Sequence, residues 1–291
     1  MLNMYRAIII ALFQGVTELF PVSSLGHSVL IPALVGWDDL VKAQSTESPY
    51  LAFLVALHVG TAIALLIYFR SEWVKIIGGV LGSAKERRIT TPDARIGMLL
   101  IVATIPTGVI GLAFEHSLRT IFAKPEAAAI FLTINGVMLL VGEALRRRVS
   151  AGAGYGGDGF SGGRSIDSLS FGEAFFIGCT QVGSLFAGIS RSGITMVGGL
   201  MRGLDHEDAA RFSFLLATPI ILGAGVYKIP DLFGHLGDGI RGQALVGAVV
   251  AGVAAYISTR FLVRFFETKS LTPFGIYCLV IGIFSMVRFA F

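Results

Sequence analysis

Two short stretches of an otherwise apolar chain carry side chains that can do chemistry. In the first, Gln14 and Glu18 are four residues apart and would share one face of a helix. A carboxylate in apolar, membrane-like surroundings is costly and usually serves function; the plainer reading is a Glu hydrogen-bonded inside a helix bundle. Ser23, Ser24 and His27 follow. If Ser24 opens a helix, His27 lies about one turn on, on the same side. A hydroxyl beside an imidazole is the minimal arrangement for an activated nucleophile, and an imidazole also suits general-acid work near neutral pH. The same residues admit a structural reading, in which Ser caps a half-helix and His is a satisfied core group.

The second stretch holds Ser190, Arg191, Ser192 and Thr195. An arginine in apolar surroundings needs a counter-charge, and its planar fork matches phosphate. Ser192 and Thr195, three apart, add hydroxyl donors on one turn, and a half-helix N-terminus adds amides that favour anions. The alternative is that Arg191 only pairs with Glu18 and locks the two stretches together. Among the remaining polar residues, His58 and Gln181 sit in apolar surroundings and would line the same cavity. His116, His206 and His235 read as solvated, and Glu143, before Arg146, Arg147 and Arg148, reads as a helix-end charge. Cys179 and Cys278 read as small core residues, without disulfide or metal spacing. Pro106, Pro219 and Pro273 kink or begin helices.

These stretches need a scaffold, and composition says which kind. Of 291 residues 54% are hydrophobic and 14% charged, with mean hydropathy +0.76. A soluble domain carries roughly a quarter charged residues. The expected fold is therefore an all-α polytopic membrane protein. The formal charge of +4 is not clustered as a nucleic-acid stripe would be, so no nucleic-acid partner is expected. The first apolar run, Ala7 to Phe13, is short, with no small-residue cleavage pattern after it, and reads as part of the fold.

Six stretches are apolar and long enough to cross a bilayer, which takes about 20 helical residues: near 50–69, 96–114, 126–145, 209–229, 243–263 and 272–290. Residues 5–36 and 171–203 are apolar but broken midway by Pro, Ser and Gly, at Phe20–Gly26 and Ala187–Gly193. Broken backbone at membrane depth is tolerated only inside protein or beside a watery cavity, so both read as re-entrant helical hairpins. They also match each other in order, Gln14, Ser23 and Gly26 against Gln181, Ser190 and Gly193. The expectation is two repeats, 1–148 and 168–291, each a re-entrant hairpin plus three transmembrane helices, joined by a Gly-rich cytoplasmic linker at 149–167. Three spans per repeat make the second one inverted. Basic residues concentrate in 70–95, in 146–170 and at Arg264 and Lys269, which the positive-inside rule places in the cytoplasm. Both termini then face outward, and the two broken tips meet near the midplane.

The run from Gln14 to His27, Gln-Gly-Val-Thr-Glu-Leu-Phe-Pro-Val-Ser-Ser-Leu-Gly-His, resembles the first signature of undecaprenyl-diphosphate phosphatases of the bacitracin-resistance type. Gly188–Thr195, Gly-Ile-Ser-Arg-Ser-Gly-Ile-Thr, resembles the second. Similarity extends over nearly the whole chain, including Phe212–Ala217. The resemblance implies hydrolysis of undecaprenyl diphosphate to the monophosphate, a multi-pass protein of the bacterial plasma (inner) membrane, and a site open to the outer face. It also implies a divalent cation, Mg²⁺ or Ca²⁺, with Glu18 as ligand and Gln14 as a weaker one, and it allows a homodimer. Carried over by position, Glu18, Ser24, His27 and Arg191 form the catalytic set, and Ser23, Ser190, Ser192 and Thr195 help to hold phosphate. Two departures stand out: Gln14 occupies a slot often held by Glu, and Ala187 replaces the usual Pro.

On this reading Ser24 is the nucleophile, with His27 as base or acid, Arg191 holds the terminal phosphate, and Glu18 binds metal or orients His27. A metal-activated water is the alternative attacker. The rival function is a lipid-phosphate transporter or flippase, since broken helices at the midplane also describe carriers. A non-catalytic scaffold leaves Glu18 and Arg191 without a task beyond structure.

Overall fold

The computed structural model describes residues 2–43, 48–122, 124–152 and 163–290. They form helices and no strand, apart from one isolated bridge between Arg164 and Leu204. In chain order these are α1 (Met4–Thr17), α2 (Ser24–Leu34), the short α3 (Asp38–Ala43), α4 (Pro49–Tyr68), α5 (Arg70–Glu86), α6 (Pro92–Phe122) and α7 (Pro125–Gly152). There follow α8 (Phe171–Gln181), α9 (Arg191–Met201), α10 (His206–Lys228), the short α11 (Pro230–Phe233), α12 (Arg241–Phe266) and α13 (Thr272–Ala290).

Six of them are long and apolar enough to cross a bilayer: Pro49–Tyr68, Pro92–Phe114, Pro125–Arg147, His206–Phe233, Arg241–Phe266 and Thr272–Ala290. These are the six stretches expected from the sequence. Their outward faces are apolar as well. On α12, Leu245, Val249, Val253, Ile257 and Phe261 are all exposed at a spacing of four, a stripe that only hydrocarbon would solvate cheaply. Cys179 belongs to such a face. It is exposed, with Phe171 and Phe175 along the same side of α8; only Cys278 is the core residue expected of both.

The interior is built by close approach of small residues. α1 packs along α12 and α8 along α6, α4 along α12, and α7 along α13. A Cβ at Gly15 of α1 would strike the Ala251 carbonyl of α12, and one at Gly178 of α8 the Ala103 carbonyl of α6. Such small-residue contacts suit helices in lipid, where dispersion and close packing replace the hydrophobic effect.

Three local expectations need correction. Residues 70–95, read as a loop, contain α5. Its apolar residues recur at helical spacing, with Ile76 buried toward α6 and Val74, Ile77 and Leu81 outward. His206, expected in solvent, is buried, and so is Glu143: His206 Nε2 lies 2.8 Å from Glu143 Oε2, which also accepts the Leu271 amide N–H at 3.4 Å. The charge at the end of the third span is thus a tie between α7, α10 and the α12–α13 turn. The linker begins later than expected, because α7 runs through Gly152; residues 153–162 of it lie outside the described residues, as does the side chain of His116. His235 is exposed, as expected.

Candidate active site

Both broken pairs stop and restart for local reasons. After α1, the Glu18 amide still bonds the Gln14 carbonyl at 3.0 Å, and Pro21 then prevents a further helical turn. Ser23 restarts the chain. Its Oγ accepts the Gly26 N–H at 3.1 Å and caps α2, while its own backbone sits at φ 70°, a conformation that costs a non-glycine residue about 1–3 kcal/mol. Strain of that kind persists where surrounding structure over-determines it. In the second pair, α8 is followed by a single 3₁₀ turn, Val182–Leu185. Gly188 then takes φ 113°, where a Cβ would sit 2.5 Å from the Ala128 carbonyl oxygen. Ser190 Oγ accepts the Gly193 N–H at 3.1 Å and caps α9. Ser24 and Arg191 are therefore the first residues of two helices.

Their N-termini meet. The Gly188 N–H donates to Ser23 Oγ at 3.2 Å, joining the two breaks directly. Beside this junction lies a cavity of about 280 Å³. Its polar lining gathers Glu18, Ser24, His58 and Arg191, with Ser23 and Ser190 beside them, and Thr107 and Ser184 add further hydroxyls to the walls. The rest is apolar, chiefly Leu25, Val55, Leu185, Ile189, Ile220 and Ile221. A wall of this kind suits a ligand that is charged at one end and hydrocarbon at the other, and two helix N-termini beside the polar cluster favour an anion there.

Glu18 is the hub. Its Oε1 accepts from Arg191 Nη2 at 3.1 Å and Nε at 3.4 Å. Its Oε2 accepts from Ser24 Oγ at 2.5 Å and Gln14 Nε2 at 3.1 Å, and His58 Nε2 lies 3.4 Å away. The Arg191 and Glu18 side chains are only 11% and 5% exposed. Arg191 Nη1 also donates to the Ser213 carbonyl at 3.2 Å. His58 is held from behind, its Nδ1 2.8 Å from the Leu54 carbonyl one turn back on α4.

The structure thus gathers Gln14, Glu18, Ser24 and Arg191 in one hydrogen-bonded cluster, with Ser23 and Ser190 capping the helices beside it. It places the other expected residues differently. His27 is turned away from Ser24: its Nδ1 meets the Ser23 carbonyl and its Nε2 the Tyr277 hydroxyl, each at 2.8 Å, with the two rings stacked. The hydroxyl of Ser24 goes to Glu18 instead. Ser192 Oγ lies 3.0 Å from Ser190 Oγ and points under the Glu18 main chain. Thr195 Oγ1 donates to Ser213 Oγ at 2.7 Å and fastens α9 to α10. Neither lines the cavity. His58 lines it, as expected, whereas Gln181 is fully buried outside its walls.

Among residues not foreseen, Tyr277, Ser213 and Asn135 matter most. Asn135 was the most visible beforehand, as an amide in the middle of an apolar span. Tyr277 and Ser213 carry no such signal. Outside the spans, Glu173 anchors the start of α8. Hydrogen bonds from Arg164 and from the Ser170 amide hold its carboxyl down at about 2.

A divalent cation can be tested against these groups. Among the described residues no three His, Cys, Asp or Glu side chains converge, so no all-protein cage exists there. The cavity offers one carboxylate, Glu18, and the Gln14 amide bonded to it carries a buried oxygen, Oε1, without a hydrogen-bond partner, although Gln14 does not itself line the cavity. Two oxygens fit a cation that brings most of its ligands with a diphosphate.

The family model described as Bacitracin resistance protein BacA matches residues 7–284. The Undecaprenyl-diphosphatase of Mycolicibacterium paratuberculosis is 54% identical, over 99% of this chain and 98% of its own. Undecaprenyl-diphosphatase 2 of Frankia alni is 52% identical over the same shares. The Undecaprenyl-diphosphatase of Granulibacter bethesdensis is 47% identical, over 97% and 95%.

Proposed function

The chain belongs to the bacitracin resistance protein BacA family, and from that premise we infer that it is a multi-pass membrane enzyme hydrolysing undecaprenyl diphosphate to undecaprenyl phosphate and inorganic phosphate. The observation that carries the chemistry is the Glu18 carboxylate, bonded to the Ser24 hydroxyl on one side and the Arg191 guanidinium on the other.

The terminal phosphate enters the polar cluster of the cavity and takes over Arg191 from Glu18. A guanidinium fork placed on the equatorial oxygens stabilises charge spread over them during transfer. Ser24 Oγ attacks the terminal phosphorus in line with the bridging oxygen. The Ser–O–P bond forms, the bridging P–O bond breaks, and undecaprenyl phosphate leaves as an anion. The Ser24 proton passes to Glu18 Oε2, already its hydrogen-bond acceptor. Water then attacks the phosphoserine, the Ser–O–P bond breaks as Glu18 returns its proton to Ser24 Oγ, and phosphate departs carrying both hydrogens of the water. A Mg²⁺ or Ca²⁺ ion held by Glu18 and Gln14 Oε1 would neutralise charge on the diphosphate. His27, bonded at both ring nitrogens, supports Ser23 and thereby the cap of α2; His58 is the imidazole that faces the phosphate site. The prenyl chain leaves along the apolar wall toward lipid.

The scaffold belongs to the same proposal. Two inverted repeats, 1–148 and 168–291, would each contribute one re-entrant hairpin, α1–α2 and α8–α9. Reciprocal packing supports this: α1 on α12 and α8 on α6, α4 on α12 and α10 on α6, with α7 on α13. The basic stretch at 70–95 then faces the cytoplasm of a plasma membrane, and the cavity opens outward.

The test is phosphate release from a C55 prenyl diphosphate by purified protein in detergent, with Mg²⁺, with Ca²⁺ and with EDTA, beside Arg191→Ala. Release that needs a cation and fails in the variant is the expected result. Well-folded protein that releases nothing with either cation would overturn the hydrolase reading and leave lipid transport.

A further inference from the structure

Asn135 lies in the middle of α7, fully buried, in a helix whose neighbours there are apolar. A polar residue inside a span commonly satisfies itself on its own helix. Asn135 does not. Its Nδ2 donates to the Pro21 carbonyl at 3.1 Å, and its Oδ1 accepts the Ser190 N–H at 2.9 Å. The orientation of the amide is dictated by its partners, because a carbonyl must meet the NH₂ and an N–H must meet the oxygen. A second contact of Nδ2, to Cys278 Sγ at 3.3 Å, faces α13.

The two partners are the irregular segments themselves. Pro21 stands between Glu18 and Ser24, and Ser190 immediately precedes Arg191. One planar amide therefore spans the two breaks from behind the cavity, while the Ser23–Gly188 hydrogen bond ties them from within. Neither break has a regular backbone ladder to fix its place. A shift of one against the other would move Arg191 relative to Ser24.

We propose that Asn135 is a positioning residue for the reaction, a cross-brace that sets the spacing between the Ser24–Glu18 pair and Arg191. The inference rests on the phosphatase reading above. Misplacement of a catalytic group by about 1 Å can cost 10²-fold in rate, so a residue that never touches substrate can still govern kcat.

The experiment is a double-mutant cycle on kcat and KM for C55 prenyl diphosphate, with Asn135→Ala, Asn135→Leu, Arg191→Lys and the combined variants. Asn135→Ala is expected to lower kcat about 10- to 100-fold with KM changed less than about threefold. In the Arg191→Lys background, where the fork is already lost, the same change should lower kcat less than about threefold, the non-additivity expected of coupled sites. Asn135→Leu, which keeps the volume, should behave like Asn135→Ala. Equal losses in both backgrounds, or full kcat in Asn135→Ala, would overturn the proposal. So would failure of both single variants to yield monodisperse protein, which would assign Asn135 to the fold alone. Wild-type protein without activity would instead remove the phosphatase reading itself.

Discussion

Glu18 and Arg191 stand 173 positions apart in the chain, yet the carboxylate and the guanidinium meet at 3.1 Å, nearly out of reach of solvent. Each charge is tolerable there because of the other. Removing one partner of a buried pair leaves an uncompensated charge and costs about 3–5 kcal/mol, whereas removing both is far less harmful. Arg191→Met should therefore lower the unfolding temperature in detergent more than the double variant Glu18→Gln/Arg191→Met does. A double variant less stable than Arg191→Met would mean that the pair is not the tie between the breaks.

His58 lines the cavity from α4, its outer nitrogen 3.4 Å from Glu18 and its ring partly exposed, so its loss should spare the fold. A hydrogen bond to a charged group is worth about 1.5–3 kcal/mol. His58→Ala should lower kcat/KM about 10- to 100-fold on that scale, with His58→Gln retaining more. Steady-state phosphate release measures both.

Tyr277→Phe keeps the ring stacked on His27 but removes the hydroxyl at Nε2. A buried polar atom left without a partner costs about 1–3 kcal/mol. The variant should unfold at a lower temperature while keeping most of its kcat, because in the proposed mechanism His27 acts only by supporting Ser23. A collapse of kcat with unchanged stability would give His27 a direct part in proton transfer.

The Arg164–Glu173 pair at the start of α8 predicts an acid dependence. Hydrogen bonding holds the Glu173 carboxyl well below its ordinary value of 4.5, at about 2. A depressed folded-state value means that the pair contributes stability above pH 4.5 and loses it as pH falls toward 2. The site is near the surface, so the effect is small and screened by salt. Wild type should exceed Glu173→Gln in unfolding temperature at pH 6, with the gap narrowing at pH 3.

Most of the fold was legible because lipid is a demanding solvent. Six apolar stretches announce six long helices, and the Pro, Ser and Gly clusters at Phe20–Gly26 and Ala187–Gly193 announce the breaks. The amphipathic α5 was harder to see, since its basic residues read as loop. In the site, Glu18 and Arg191 stand out as charges in apolar sequence, and their pairing is the plainer alternative there to an Arg191 that holds phosphate. The partner of Ser24 did not follow. Spacing along one helix suggested His27, but the kink at Ser23 turns the hydroxyl back toward α1, and the imidazole swings to Tyr277, 250 positions away. Side-chain direction at an irregular backbone is set by tertiary contacts that no local pattern carries. Glu143 and His206 escape a local reading for the same reason, each satisfying the other across helices.

In the proposed mechanism Ser24, activated by Glu18, attacks the phosphate held by Arg191. The most direct measurement is phosphate release by Ser24→Ala at saturating C55 prenyl diphosphate, with folding verified by an unchanged unfolding temperature. A nucleophilic Ser24 predicts a loss of at least about 10³-fold in kcat, on the scale seen when a nucleophile is removed. Retention of more than about a tenth of wild-type kcat, far above what loss of a nucleophile leaves, would contradict it and make water the attacking group.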